Sequence, residues 1–203
     1  MAQTKLPAGF YTRSNVITIA RELLGKILVT RLNGLVTMGR IVETEAYNGI
    51  ADRAAHSWNG RRTQRTEIMY SEGGVAYVYL CYGLHQMFNV VTDKAGFPKA
   101  VLIRALEPLA GTDIMMERRK KTKPDVTLTC GPGSLARAMG IQVKHTGSDL
   151  TGDEIFIAAD DYHLPRKNII VTPRIGVDYA GVDAQLPYRF YIAGNKYVSG
   201  KKA

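Results

Sequence analysis

The sequence is poor in the groups that hold metals and disulfides. Its 203 residues include two cysteines, Cys81 and Cys130, and four scattered histidines. Two cysteines build no disulfide framework, and their spacing with the histidines matches no zinc site. The chain therefore reads as a reduced, cytoplasmic protein with no structural metal and no cofactor. No apolar run approaches the ~20 residues of a membrane-spanning helix. The opening Met1-Ala2-Gln3-Thr4-Lys5 leads into no signal-peptide core, so no membrane association is expected. Acidic residues are also scarce, 18 against 27 lysines and arginines, for a formal net charge of +9. Such a surplus draws a protein to polyanions, nucleic acid first, by an attraction largely independent of sequence. With 45% hydrophobic residues and no repeat, low-complexity tract or linker, residues 1–203 are expected to fold as one domain around one sizeable core.

What is present centres on Gly39 to His56. Alternation along a strand puts Ile41, Glu43, Glu45 and Tyr47 on one face and Val42, Thr44 and Ala46 on the other. Two carboxylates and a ring thus share a face. Either this is a solvated edge strand, or the face is buried and its charges are paired or put to use, because an unpaired buried carboxylate costs several kcal/mol. Arg104 interrupts the most apolar strand, Lys99 to Leu106. A cation there needs an acidic partner, and both a buried ion pair and a catalytic role place it near Glu45.

Around this centre the patterning predicts a mixed α/β fold: one domain with a curved, largely antiparallel sheet, flanking helices and a protruding β-hairpin. A core helix runs over 15–24 with Asn15 as N-cap and Gly25 as its stop. A strand over 26–32 returns through Asn33-Gly34, a strong hairpin signal. The tyrosine-rich strand 75–81, the tip Tyr82-Gly83 and the return run 87–91 make a second hairpin, with Tyr77 and Tyr79 facing one way and Tyr82 the other. Further helices are expected over 113–123 and 135–139, strands over 154–159, 169–171 and 187–191, a loop over 143–153, a turn over 174–178, and a frayed basic end to Ala203.

Several positive or ring-bearing loops have both a structural and a functional reading. Asn59 to Arg65 carries Arg61, Arg62 and Arg65, either solvated or poised as phosphate clamps, since guanidinium matches phosphate geometry. Trp58 reads as a stacking ring or a core residue. Gly131-Pro132-Gly133-Ser134 opens a helix, so Gly131 marks ordinary initiation or a backbone site for phosphate; it lacks the lysine of a nucleotide-binding loop. Tyr82 is a surface ring or a wedge between base steps.

Taken together, Val42-Glu43-Thr44-Glu45-Ala46-Tyr47, Ala54-Ala55-His56-Ser57, Tyr77-Val78-Tyr79 with Tyr82-Gly83, Leu102 to Pro108 and Cys130-Gly131-Pro132 resemble the alkyladenine (3-methyladenine) DNA glycosylase family, in its short bacterial form. The match runs in order from about Leu23 to Ser199. The resemblance implies a monomeric, monofunctional enzyme that flips an alkylated or deaminated purine (3-methyladenine, 7-methylguanine, hypoxanthine, etheno-adenine) out of duplex DNA and hydrolyses its bond to deoxyribose. It implies Glu45 as general base, Arg104 as holder of the water, and a base pocket with Tyr47 and His56 on one side and Tyr79 on the other. Asn89 is implied at the pocket floor, Tyr82 as the intercalating residue and Arg61 as a phosphate contact. Leu84 and His85 beside the tip depart from the family pattern, as does the loop Arg118 to Val126. With no long N-terminal extension, only a catalytic domain is expected. Two rival readings are a magnesium nuclease using Glu43 and Glu45 and a non-catalytic nucleic-acid-binding module.

Overall fold

A computed structural model describes residues 3–200. Met1, Ala2 and the basic end Lys201 to Ala203 lie outside the described residues, so the expectation of a frayed end is not addressed there. The strands are β1 (Thr4–Lys5), β2 (Ile27–Leu32), β3 (Leu35–Tyr47), β4 (Ala76–Cys81), β5 (His85–Thr92), β6 (Lys99–Ala110), β7 (Ile155–Ala159), β8 (Ile169–Thr172) and β9 (Arg189–Ile192). They pair antiparallel in one sheet of order β1-β7-β2-β3-β6-β5-β4, with β9 on β3 and β8 on β9. The α-helices are α1 (Ala8–Tyr11), α2 (Val16–Leu23), α3 (Thr112–Arg119) and α4 (Pro132–Met139). The mixed fold and its antiparallel sheet agree with the sequence pattern.

The predicted local signals operate. Asn15 accepts the backbone N–H of Thr18, capping α2, whose Val16, Ile19, Ala20 and Leu23 enter the main core. Asn33 and Gly34 both take left-handed backbone (φ 54° and 74°), the turn that matches the twist of paired strands, and it joins β2 to β3 in register Leu32 to Leu35. Tyr82 and Gly83 do the same (φ 50° and 71°) at the tip of the β4–β5 hairpin.

Some boundaries differ. The helix expected to reach Lys123 stops at Arg119, because Lys120 turns left-handed (φ 53°) and closes the helix. Helix α4 begins at Pro132, with proline at the first helical position, where it loses no hydrogen bond. The loop expected over 143–153 opens with a 3-10 turn at Val143–His145.

The central feature is β3. Its first half pairs with β2; its second half lies between β6 and β9, with Glu43, Thr44 and Glu45 opposite Tyr191, Phe190 and Arg189 of β9. It is no edge strand. Its alternation breaks at Val42, where the register with β6 slips between Ile41↔Leu106 and Glu43↔Ala105, and both Ile41 and Val42 enter the main core. A compensating slip follows between Glu43↔Ala105 and Thr44↔Ile103, which leaves Arg104 as the unpaired residue of a β-bulge. Bulges re-aim side chains, and this one turns Arg104 toward both glutamates.

Candidate active site

Glu43 and Glu45 are fully buried. Burying two carboxylates two residues apart is tolerable only with cations and donors around them. Arg104 supplies both: its Nε donates to Glu43 Oε1 (3.1 Å), its Nη1 to Glu45 Oε2 (3.2 Å) and its Nη2 to Ser199 Oγ (3.3 Å). Glu43 also takes Arg189 Nε on Oε1 and the Ser199 backbone N–H on Oε2, each at 2.7 Å. Glu45 is held differently. The Tyr47 hydroxyl donates to its Oε2 (3.0 Å) and the backbone N–H of Ile175 to its Oε1 (2.8 Å).

This difference has chemical content. A carboxylate has about four acceptor positions, and three are occupied by fixed donors at Glu45 as at Glu43, so the two differ in which donors they meet and not in how many. Tyr47, Arg104 and Ile175, the three residues that bond Glu45, all line an open cleft of about 900 Å³. Glu45 is thus bonded, through its donors, to the lining of the cleft. Burial first, then the Glu45 charge, raise the Tyr47 hydroxyl well above its ordinary range, which keeps it a neutral donor.

Tyr77, Tyr79 and Asn89 come from the paired arms β4 and β5, and His56 comes from the loop after β3. They line a recess of about 30 Å³ together with Tyr47 and Tyr179. His56 Nδ1 meets the Tyr77 hydroxyl at 2.8 Å. Its ring meets Tyr79 edge-to-face with centroids 4.6 Å apart. His56 and Tyr79 are therefore neighbours on one wall, which corrects the expectation that His56 stands with Tyr47 across from Tyr79: contacting rings admit nothing between them. Burial, with Arg65 and Arg61 nearby, pushes the His56 pKa down to about 4, so the ring is neutral near pH 7. Burial pushes the Tyr77 hydroxyl up to about 12. Asn89 Nδ2 donates to the Tyr77 and Met87 carbonyls at 3.1 and 3.2 Å, which fixes the amide between the two hairpin arms.

Tyr82 projects from the hairpin tip, 91% exposed, beside Leu84 at 78%. Arg61 and Arg65 border the cleft, and neither pairs with a carboxylate among the described residues. Arg62 instead pairs with Glu67, which removes one of the three arginines from the rim. Trp58 is half-exposed on the cleft wall and so is not a core residue. Gly131 adopts φ 92° at the start of α4, next to Pro132 of the cleft lining.

Three supporting residues escaped sequence reasoning. Arg174, expected only as a basic side chain in a turn, is buried and forms a two-pronged pair with Asp52 (2.6 and 2.8 Å) while donating to the Ala46 carbonyl. Asp52 in turn accepts the N–H groups of Asn48 and Ala54, so this pair fixes the loop that presents His56 and aims Ile175 at Glu45. Nothing in the local sequence marks it. Arg189 lies among Tyr188, Phe190 and Tyr191 and, like Arg104, is a lone cation in an apolar strand that needs an acidic partner. Tyr179, whose hydroxyl donates to the Ala54 carbonyl, carries no sequence signal.

The structure thus brings together a buried carboxylate clamped by a guanidinium and an adjoining cleft lined by rings and bordered by arginines. The family model for methylpurine-DNA glycosylase (MPG) matches residues 9–196. A Chlamydia felis protein named "Putative 3-methyladenine DNA glycosylase" is 46% identical over 192 residues, covering 92% of this chain and 95% of the relative. Proteins of the same name from Desulfitobacterium hafniense (45% identical; 97% of this chain, 99% of the relative) and Clostridium acetobutylicum (46%; 96% and 97%) match similarly. The chain belongs to the methylpurine-DNA glycosylase family.

Proposed function

We propose that residues 1–203 form one catalytic domain acting as a monofunctional, monomeric DNA glycosylase, which flips an alkylated or deaminated purine from duplex DNA and hydrolyses its bond to deoxyribose. The observation that carries this reading is the state of Glu45: buried, and held by three donors from Tyr47, Arg104 and Ile175, all of which line the cleft. A water bound there attacks C1′ and gives its proton to Glu45 as the N-glycosidic bond breaks and its electron pair leaves with the base. Arg104 retains unused N–H groups, which orient the water.

The base lies with Tyr47 against one face and Tyr79 and His56 against the other. A ring sandwich stabilises a flipped base by about 1 to 3 kcal/mol per contact, and an electron-poor alkylated purine gains further from tyrosine faces. A neutral His56 adds no repulsion to a cationic base. The recess alone is too small for a purine, so the base occupies the adjoining cleft with one edge toward the recess, where Asn89 excludes the extra amino group of normal guanine. Tyr82 fills the gap left in the stack, and Arg61, Arg65 and the Gly131 N–H contact phosphates.

The nuclease reading is weaker on chemical grounds. Glu43 is committed to two guanidinium groups and a backbone N–H, and the described residues contain no group of three or more potential metal ligands. The test is release of free base, in EDTA, from duplexes carrying one hypoxanthine and from duplex DNA methylated at purines. Release confirms the glycosylase. Tight duplex binding with no base released from either points instead to a binding module.

A further inference from the structure

The β4–β5 hairpin is a ridge between two clefts. Leu80, Cys81, Tyr82 and Met87 border the cleft described above, whereas Leu84, His85 and Gln86 border a second one of about 620 Å³ on the other side. That second cleft is lined by Arg118 and Arg119 at the end of α3, Arg137 on α4, Lys144, His85 and His145, with no carboxylate in its lining.

The arginines are held in place without being neutralised. Arg118 Nη1 donates to the Ala138 carbonyl (3.1 Å), and its guanidinium lies where a Cβ on Gly140 would stand. Arg137 Nε donates to the Arg118 carbonyl (2.8 Å). Arg119 Nη2 donates to the Thr127 carbonyl and Ser134 Oγ, while its Nε is buried with no hydrogen-bond partner. Of the nearest carboxylates, Asp125 is taken by Lys121 at 2.8 Å and Glu117 forms no hydrogen bond to the group. Burial disfavours the charge on Arg118 and Arg119, and Arg137 adds repulsion at Arg119. Fixed, partly desolvated cations that lack a counter-ion are a preorganised anion site. The ridge is also fixed to it: the Val143 N–H donates to Gln86 Oε1 (2.9 Å), and Gly133 leaves room for the His85 ring that a Cβ would occupy.

We propose that this second cleft binds the phosphodiester backbone of duplex DNA on the far side of the wedge from the flipped nucleotide, an inference that rests on the DNA reading above. Held on both sides of the ridge, the duplex is pressed onto Tyr82. Two separated cationic clefts with an exposed ring between them suit a bent polyanion better than a small phosphate ligand.

The test measures the affinity of the full chain for an undamaged 25-base-pair duplex as a function of salt. Each lost phosphate contact lowers the slope of log K against log salt by about 0.9. The variant Arg118→Gln/Arg137→Gln/Lys144→Gln is expected to lower it by about 2 to 3 and to weaken binding at least 10-fold at about 0.1 M salt. Lys26→Gln/Arg166→Gln/Lys167→Gln, with the same change in charge away from both clefts, should leave the slope nearly unchanged. Lys144→Gln alone, which disturbs no side-chain hydrogen bond, guards against misfolding and should lower the slope by about 0.9. Equal slopes for cleft and control variants, or no change in either, would overturn the proposal. A slope that falls only in the cleft variants supports it even where the wild type releases no base, an outcome that sinks the glycosylase reading but not the cleft.

Discussion

Beneath the cleft, Glu43, Glu45, Arg104 and Arg189 are buried and bonded to one another, while at the hairpin tip Tyr82 and Leu84 stand in solvent. The floor is built for fixed geometry, since a general base acts only when its reacting partner is held within hydrogen-bond reach. The tip is built to be covered: an exposed ring on a left-handed residue contributes little to folding and is explained by a partner that buries it. The two glutamates repeat the contrast within the floor. Glu43 meets two guanidinium groups and, of the cleft lining, Arg104 alone, whereas Glu45 meets one guanidinium and three of the residues that line the cleft.

Removing each element separates these roles. The largest expected effect is on chemistry: Glu45→Gln should slow single-turnover base release about 100- to 10,000-fold with duplex binding retained. Glu43→Gln should act on folding instead. It leaves two buried guanidinium groups without their shared carboxylate, and the stability read from urea unfolding should fall by about 3 to 5 kcal/mol, at least twice the loss in Glu45→Gln. Similar losses in the two variants would erase the distinction drawn here.

His56 should produce a smaller, pH-dependent effect. Its pKa falls from 6.5 to about 4 on folding, so the unfolded chain binds the extra proton first. Stability is therefore full above about pH 6.5 and declines as pH drops toward 4, by about 2 to 3 kcal/mol at most. His56→Gln should flatten that part of the pH profile, which unfolding midpoints at pH 7 and 4.5 will show. Tyr82→Ala should change stability by no more than about 0.5 kcal/mol while lowering the fluorescence of a flipped etheno-adenine in bound duplex. A large stability loss there would place Tyr82 in the packing of the fold.

Much of this was legible because the signals were local. Asn33-Gly34 and Tyr82-Gly83 mark their turns by backbone preference, and the alternation of Glu43, Glu45 and Tyr47 survives as the hydrogen bond between Tyr47 and Glu45. The need of Arg104 for an acidic partner follows from its apolar strand. What was hidden depends on pairing between distant segments. The bulge that frees Arg104 is a property of the β3–β6 register rather than of either strand alone. Arg174 and Ile175 are brought to Asp52 and Glu45 across more than 120 residues, and no periodicity announces that. The placement of His56 and Tyr79 on one wall is likewise decided by the way the loop after β3 folds onto β4.

The most direct test of the central claim is the single-turnover rate of purine release in EDTA, with protein saturating over duplex, for wild type and Glu45→Gln side by side. The substrates are a duplex containing one hypoxanthine and duplex DNA methylated at purines. The account predicts release by the wild type and a loss of at least about 100-fold in the variant with binding intact; equal rates for the two proteins would contradict it.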